Sequence, residues 1–378
     1  MNEPIARTLQ PISASQVVEQ DLDDICSRAA QDLRALAGTR VLVTGGAGFL
    51  GYYVVQAMTH WNERNDRQID VVVHDNFMRG VADWLSALGA QSKVSLVRRD
   101  VTEPLSRDLD PFDYVVHGAS IASPTFYRRH PIATMDANVV GIRNLLDFCV
   151  DQSNRDRPPK SILFYSSSEI YGDPPPEHIP TTETYRGNVS CTGPRACYDE
   201  SKRYGETLCV NFVGQFGLPV KIARPFNNYG PGLKITDRRA LPDFARDVFA
   251  GRDIVLLSDG RPSRTFCYVS DAVVGYLAIL VRGRPGEAYN IGADAPEVSI
   301  RELAEMVVAS AAEQFGYRGR VVGGRSDDRD YLVDNPNRRC PDISKARAEL
   351  NYTPRIPVNE GVARSLVWYM DNQDAEDS

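Results

Sequence analysis

Apolar residues recur along this chain in two rhythms, and the change between them marks its architecture. Residues 18–37 carry Leu22, Ile25, Cys26, Ala29, Leu33 and Leu36 at helical spacing, which predicts one amphipathic helix after a polar, pattern-free tail over 1–17. From Thr39 onward apolar runs of strand length take over, at 41–43, 69–74, 94–97, 114–117, 162–165 and 220–223, each bounded by turn or polar residues. The segments between them are long enough for crossover helices, so the pattern is βαβ repeated. The predicted fold class is α/β: a Rossmann-type, doubly wound parallel sheet. Such sheets bind ligands beyond the carboxyl ends of their strands, so the residues just after each run are the first place to look for chemistry.

Past Arg224 the periodicity loosens. A helix is expected over 240–250, a short strand over 254–257, a helix from Ser270-Asp271, and another from Ser299-Ile300 with Glu302 and Glu305 in its early turns. Residues 323–341, rich in Arg, Asp and Gly, read as a loop over the surface or a ligand, and the last residues, 371–378, as a fraying end. The predicted organisation is an extension over 1–38, a sheet domain over 39–225 that also receives 266–296, and a smaller C-terminal α+β lobe from 226–265 and 297–378.

Composition narrows the class. With 378 residues, 42% hydrophobic and 25% charged, whole-chain disorder and fibrous repeats are excluded. A net charge of −7 with no Lys/Arg-rich run argues against a nucleic-acid partner. No apolar stretch reaches the ~18 residues of a membrane span, and the first residues lack the pattern of a signal peptide, so no membrane partner and a cytoplasmic location are expected. The seven scattered cysteines contain no C-x-x-C, the usage of reduced thiols. His74, His117 and His130 have no spaced partner, so no metal site is expected.

Thr44-Gly45-Gly46-Ala47-Gly48-Phe49-Leu50-Gly51 directly follows the first run and opens a helix. Small residues there let the backbone approach a pyrophosphate, whose charge then rests on the free N–H groups of the helix N-terminus. The second run leads into Asp75, where a carboxylate accepts hydrogen bonds from both adenosine ribose hydroxyls and repels a 2′-phosphate. NAD is therefore favoured over NADP, with Arg79 as the one counter-signal. Asp100-Val101, after the third run, are placed to meet adenine, although Asp100 alone also reads as a helix N-cap.

Tyr198-Asp199-Glu200-Ser201-Lys202 puts a phenol and an ammonium four residues apart, one turn along the same helix face. A nearby cation stabilises phenolate, which suits a tyrosine to remove a hydroxyl proton while hydride leaves the same carbon. The fifth run ends in Ser166-Ser167-Ser168-Glu169, which delivers hydroxyls and a carboxylate to the ligand end of the sheet.

The TGGAGFLG loop, the strand-end SSSEIYGD and the YDESK helix, in this order, resemble the extended short-chain dehydrogenase/reductases that remodel nucleotide sugars. The resemblance covers roughly residues 39–370. Within that group the chain is most similar to UDP-glucuronate decarboxylases, on Tyr185-Arg186-Gly187-Asn188-Val189, Gly193-Pro194-Arg195-Ala196-Cys197 before Tyr198, Ala122-Ser123-Pro124 with Tyr127, and Asp334-Asn335-Pro336-Asn337-Arg338-Arg339. It departs from them at Arg186, where that family has Trp, and at Ser190-Cys191-Thr192, where it has Asn-Pro-Ile.

The resemblance implies roles. Ser167 would hydrogen-bond the sugar 4-hydroxyl, Tyr198 would be the base, and Lys202 would hold the nicotinamide ribose and lower the tyrosine pKa. Glu169 would sit near sugar C5; Tyr127, Ser168, Asn227, Arg264 and Arg339 would bind the sugar or its diphosphate. Gly45, Gly48, Phe49, Leu50, Gly51, Asp75, Asn76, Asp100, Val101 and Ala119 would hold NAD. Arg261 and Arg264, flanking a turn in an acidic protein, suit a diphosphate. Asn138, at the expected start of a helix, reads equally as a site residue or a cap. The implied partners are a nucleotide sugar and a second copy of the chain, joined through helices such as 138–150 and 196–216. The implied reaction is decarboxylation of UDP-glucuronate to UDP-xylose through a 4-keto sugar with NAD recycled. Nucleotide-sugar 4-epimerisation is the alternative, and a non-catalytic binding regulator a third reading. The 4,6-dehydratases carry Asp-Glu where this chain has Ser168-Glu169, which counts against dehydration.

Overall fold

The computed structural model describes residues 12–91, 93–326 and 333–373. Strands form where the apolar runs predict them: β1 (Arg40–Thr44), β2 (Asp70–Asp75), β3 (Val94–Arg98), β4 (Tyr114–His117), β5 (Ser161–Tyr165) and β6 (Val220–Pro225). A seventh, β7 (Ala288–Ile291), pairs with β6, and every pairing is parallel in the order β7-β6-β5-β4-β1-β2-β3. The direction of winding reverses between β1 and β4, which opens a crevice at their carboxyl ends.

Successive residues of a strand face opposite sides, and both sides are covered. Val41, Val43, Val71, Val73 and Val116 join one core with helices Phe49–Glu63 and Val269–Arg282. Leu42, Val72, Val115, Ile162 and Phe164 join a second with helices Pro131–Ser153 and Ala196–Phe216. Asn138 therefore lies inside a helix that starts earlier than expected; it caps nothing, and its amide donates to Ser201 Oγ (2.9 Å).

The single helix expected over 18–37 is two, Ala14–Arg28 and Ala30–Leu36. The first starts early because Ser13 and Gln16 cap each other: Ser13 Oγ accepts from the Gln16 N–H, and Gln16 Oε1 accepts from the Ser13 N–H (2.9 Å). Ala29 (φ −95°, ψ 16°) turns the chain, and Asp32 in the second helix then meets Arg282 (2.8 Å). The first helix packs against Phe49–Glu63, Val269–Arg282 and Val358–Asp371. Its Asp21, with no exposed surface, accepts from the hydroxyls of Tyr53 and Tyr268 (both 2.6 Å) and from Arg364 (2.5 Å).

Beyond β6 lie helices Ala240–Phe249, Ile300–Phe315 and Val358–Asp371 and, among the described residues, three small sheets. Ser299 and Glu302 form a capping box at the start of Ile300–Phe315. The expected loop over 323–341 instead contributes a short strand, Arg338–Arg339, parallel to Ser263–Thr265. Its residues 327–332, the tail over 1–11 and the end over 374–378 lie outside the described residues. Among the described residues no helix is long and apolar enough to cross a membrane.

Candidate active site

A cleft of ≈ 1070 Å³ opens at the carboxyl ends of β1, β2, β4, β5 and β6. It brings together every residue predicted for the cofactor, the reaction and the substrate, from Gly45 to Arg339. Arg261 is not among its lining residues; its side chain is 89% exposed and turned to solvent, so of the two arginines at that turn only Arg264 faces inward.

The glycine turn has the shape a pyrophosphate needs. Gly45 sits at φ +71°, and a Cβ there would lie 2.6 Å from the backbone of Ala119. A Cβ on Gly51 would strike the carbonyl of Gly46 at 2.4 Å, so the helix seats directly on the loop. At Gly48, the N-cap, a Cβ would meet only one atom, the Gly45 oxygen at 3.2 Å, which leaves the approach open. The first-turn N–H groups of Phe49–Glu63 have no intrahelical acceptors and point out of the helix end. Asp75 is held at the mouth by the N–H groups of Ala47 (3.1 Å) and Phe77 (2.8 Å), and burial pushes its pKa up. Arg79 turns toward the C-terminal residues, donating to Thr236 (3.2 Å) and lying over Phe126, so it is committed elsewhere than the ribose. Asp100 is not a helix cap: it closes a turn by accepting from the Thr102 N–H (2.9 Å) and hydroxyl (2.7 Å), while Asn76 donates to its other oxygen (3.1 Å). These residues fit NAD.

Across the cleft Tyr198 stacks on Tyr127, with ring centroids 5.1 Å apart and planes 12° from parallel. The Tyr127 hydroxyl is buried without a partner, a polar atom left facing a ligand space. Ser167 Oγ is aimed by the Glu169 N–H (3.2 Å). Burial pushes the Tyr198 pKa up to about 12, while the Ser167 hydroxyl and the Arg239 charge draw it down. Lys202, one turn on along the same helix, has its Nζ 5.8 Å from the centre of the tyrosine ring; it donates to the Tyr165 carbonyl (2.8 Å), and burial lowers its own pKa to about 7. His117, hydrogen-bonded to Thr44 (2.8 Å), is held neutral by burial.

Glu169 is gripped by two guanidinium groups. Arg195 donates to it from the start of helix Ala196–Phe216, and Arg339 donates through both terminal nitrogens, one at 2.7 Å. Despite its burial, these charges hold the Glu169 carboxyl well below the usual carboxylate range. Arg264 is a third cation in the same wall, donating to the Ser263 (2.7 Å) and Pro336 (2.5 Å) carbonyls, and burial with Arg339 and Arg195 nearby lowers its pKa to about 9. Asn227, at φ +44°, donates to the Thr265 carbonyl (2.9 Å). Sequence reasoning missed Arg195 as a site residue. Its signal was the i, i+4 spacing to Asp199, on the turn that carries Tyr198.

The arrangement is that of a dinucleotide-dependent enzyme with a proton-transfer pair and an anion-attracting wall at one end of the sheet. The chain belongs to the NAD dependent epimerase/dehydratase family, whose model matches residues 41–292. It is 38% identical over 323 residues to UDP-glucuronic acid decarboxylase 6 of Arabidopsis thaliana, covering 85% of this chain and 86% of that one. It is 34% identical to UDP-glucuronic acid decarboxylase 1 of Xenopus tropicalis over 334 residues, 87% of this chain and 72% of that one. Among solved structures, a dTDP-glucose 4,6-dehydratase from Streptomyces venezuelae, crystallised with NAD and TYD, superimposes with a TM-score of 0.75 at 27% identity, covering 88% of this chain and 98% of that one. An epimerase from Methanothermobacter thermautotrophicus shares the fold at a TM-score of 0.77 and 24% identity, over 92% and 97% of the two chains.

Proposed function

We propose that the protein decarboxylates UDP-glucuronate to UDP-xylose. The observation that carries this is the wall of Arg195, Arg264 and Arg339 around Glu169, beside Tyr198, with the Asp199 carboxyl buried behind Arg195. Its surplus of positive charge suits an acidic sugar and its diphosphate better than a neutral hexose. The decarboxylases among its relatives agree with it.

In this reading the Gly45–Gly51 turn and Asp75 hold NAD, with Asn76, Asp100, Val101 and Ala119 along its adenosine side. Bound NAD supplies a hydride acceptor at the sugar carbon and returns the hydride, so it is not consumed. Ser167 orients the 4-hydroxyl and Tyr198 Oη accepts its proton. A ketone at C4 stands β to the C6 carboxylate, so carbon dioxide leaves with its electrons received as an enolate; a proton from water then adds at C5, and return of the hydride to C4 with the proton from Tyr198 Oη restores the hydroxyl. Tyr127 and Asn227 close around the ring, and the arginines hold the anionic groups. Residues 226–265 and 297–378 act as the substrate lobe. We place the protein in the cytoplasm as a homodimer: its seven cysteines are all free, and exposed Ile132, Met135, Tyr204 and Val210 supply an apolar face on helices Pro131–Ser153 and Ala196–Phe216.

The test is the mass of the product after incubation with NAD and UDP-glucuronate. Loss of carbon dioxide from the nucleotide sugar is expected. An unchanged mass with a shifted chromatographic position would replace this reading with 4-epimerisation.

A further inference from the structure

The arginine wall has a component that does not face the cleft. Asp199 follows Tyr198 on the first turn of helix Ala196–Phe216, is 4% exposed, and is absent from the cleft lining. One of its oxygens lies 3.8 Å from Arg195 Nε; the other is buried with no hydrogen-bond partner, and Arg195 Nε is likewise unpartnered. A buried carboxyl in this position is expensive unless it serves a neighbour. We propose that Asp199 is a positioning residue for anion recognition: it backs Arg195 from behind the cleft, and its charge state sets how much of the arginine charge is left for the carboxylate of the sugar.

The reasoning is a count of charges. Three guanidinium groups, on Arg195, Arg264 and Arg339, surround the Glu169 carboxylate. With Asp199 protonated the group carries a surplus of two positive charges, and with Asp199 ionised a surplus of one. The groups that bear on Asp199 come from each surrounding element: Glu169 and Asp334 favour its neutral form, Arg195 and Arg339 its ionised form, and Tyr127 and neighbouring Tyr198 feel its charge in turn. Burial and the nearby Glu169 outweigh the arginines, so its pKa is raised to about 8. The sign follows. As pH rises through that value Asp199 gains a negative charge, the surplus shrinks, and a nucleotide sugar with a carboxylate loses more of its affinity than one whose sugar is neutral.

This inference rests on the proposed substrate class, so the test separates the two. Binding of UDP-glucuronate and of UDP-xylose, which differ by the carboxylate, is measured by calorimetry between pH 6.5 and 9 with NAD present; the titration of the diphosphate is common to both ligands and cancels. The affinity ratio of UDP-glucuronate to UDP-xylose is expected to fall by about fivefold to tenfold across that range. In Asp199→Asn, which keeps the shape of the neutral acid, the ratio is expected to hold its low-pH value up to about pH 8 and to fall only as Arg264 begins to lose its proton toward pH 9. A purely structural role would weaken both ligands together and leave the slope unchanged, and that result overturns the proposal. So does a ratio independent of pH in the unaltered protein, a measurement that needs no variant to fold. Failure of both ligands to bind at any pH would instead refute the nucleotide-sugar reading, and this proposal with it.

Discussion

Replacing Glu169 by glutamine removes the one carboxylate that, among the described residues, Arg195 and Arg339 both grip. Their side chains are 7% and 8% exposed, so the change strands two nearly buried cations against each other. Taking away one partner of a buried pair costs about 3–5 kcal/mol. Two features place this case at the lower end, near 3 kcal/mol: the Glu169 side chain is 20% exposed to water, and glutamine keeps one oxygen as an acceptor. The free protein is thus expected to unfold at distinctly lower urea than the unaltered one. Saturating UDP-glucuronate, whose carboxylate can take the empty place, is expected to raise the midpoint of Glu169→Gln more than that of the parent. The pH dependence gives a second check. Because the guanidinium groups depress the folded-state pKa of Glu169, its contribution is complete above the unfolded value of about 4.3 and is lost as pH falls below it, so the two proteins should converge in acid. Equal urea midpoints for variant and parent at neutral pH, with equal ligand shifts, would refute the view that these arginines wait on an anion.

Tyr198→Phe removes the hydroxyl set to take the sugar proton, and turnover is expected to fall by about 10²–10⁴ while NAD still binds by calorimetry; more than a few per cent residual activity would exclude Tyr198 as the base. Gly45→Ala forces a Cβ to within 2.6 Å of the Ala119 backbone at a positive φ, so NAD affinity is expected to drop at least tenfold in a titration, and unchanged affinity would count against the cradle. Asp21→Ala strips the acceptor from two buried tyrosine hydroxyls and Arg364, and about 3–5 kcal/mol of stability is expected to be lost in denaturant melts.

What was legible in the chain was whatever neighbours in sequence could specify. The strand runs, the glycine turn and the capping box at Ser299 are local patterns, and the doubly wound order follows from their alternation. On the Tyr198 side of the cleft, spacing and the end of the fifth run pointed to Tyr198, Lys202 and residues 166–169, the roles of Tyr127, Asn227 and Arg339 came only through resemblance to a family, and Arg195 was given no role by either. Its partners Glu169 and Arg339 come from distant segments, and no spacing along the chain reveals such a meeting. The helix break at Ala29 was hidden because the apolar stripe continues across it. Four residues on a helix bring Tyr198 and Lys202 to one face, as the spacing says, but no spacing shows that a carbonyl at the end of β5 takes a hydrogen bond from the ammonium.

Asp21 also constrains how the protein is made. Its acceptors are filled by Tyr268 and Arg364, 247 and 343 residues away, and Arg28 waits for Asp271, 243 residues away. Helix Ala14–Arg28 is therefore made long before its partners and is among the last elements to find its place, and its apolar stripe stays uncovered while they are synthesised. A fragment begun at β1 would meet the reverse problem, exposing the surface that the helix covers. That helix is better regarded as the closing piece of the molecule than as an appendage to it.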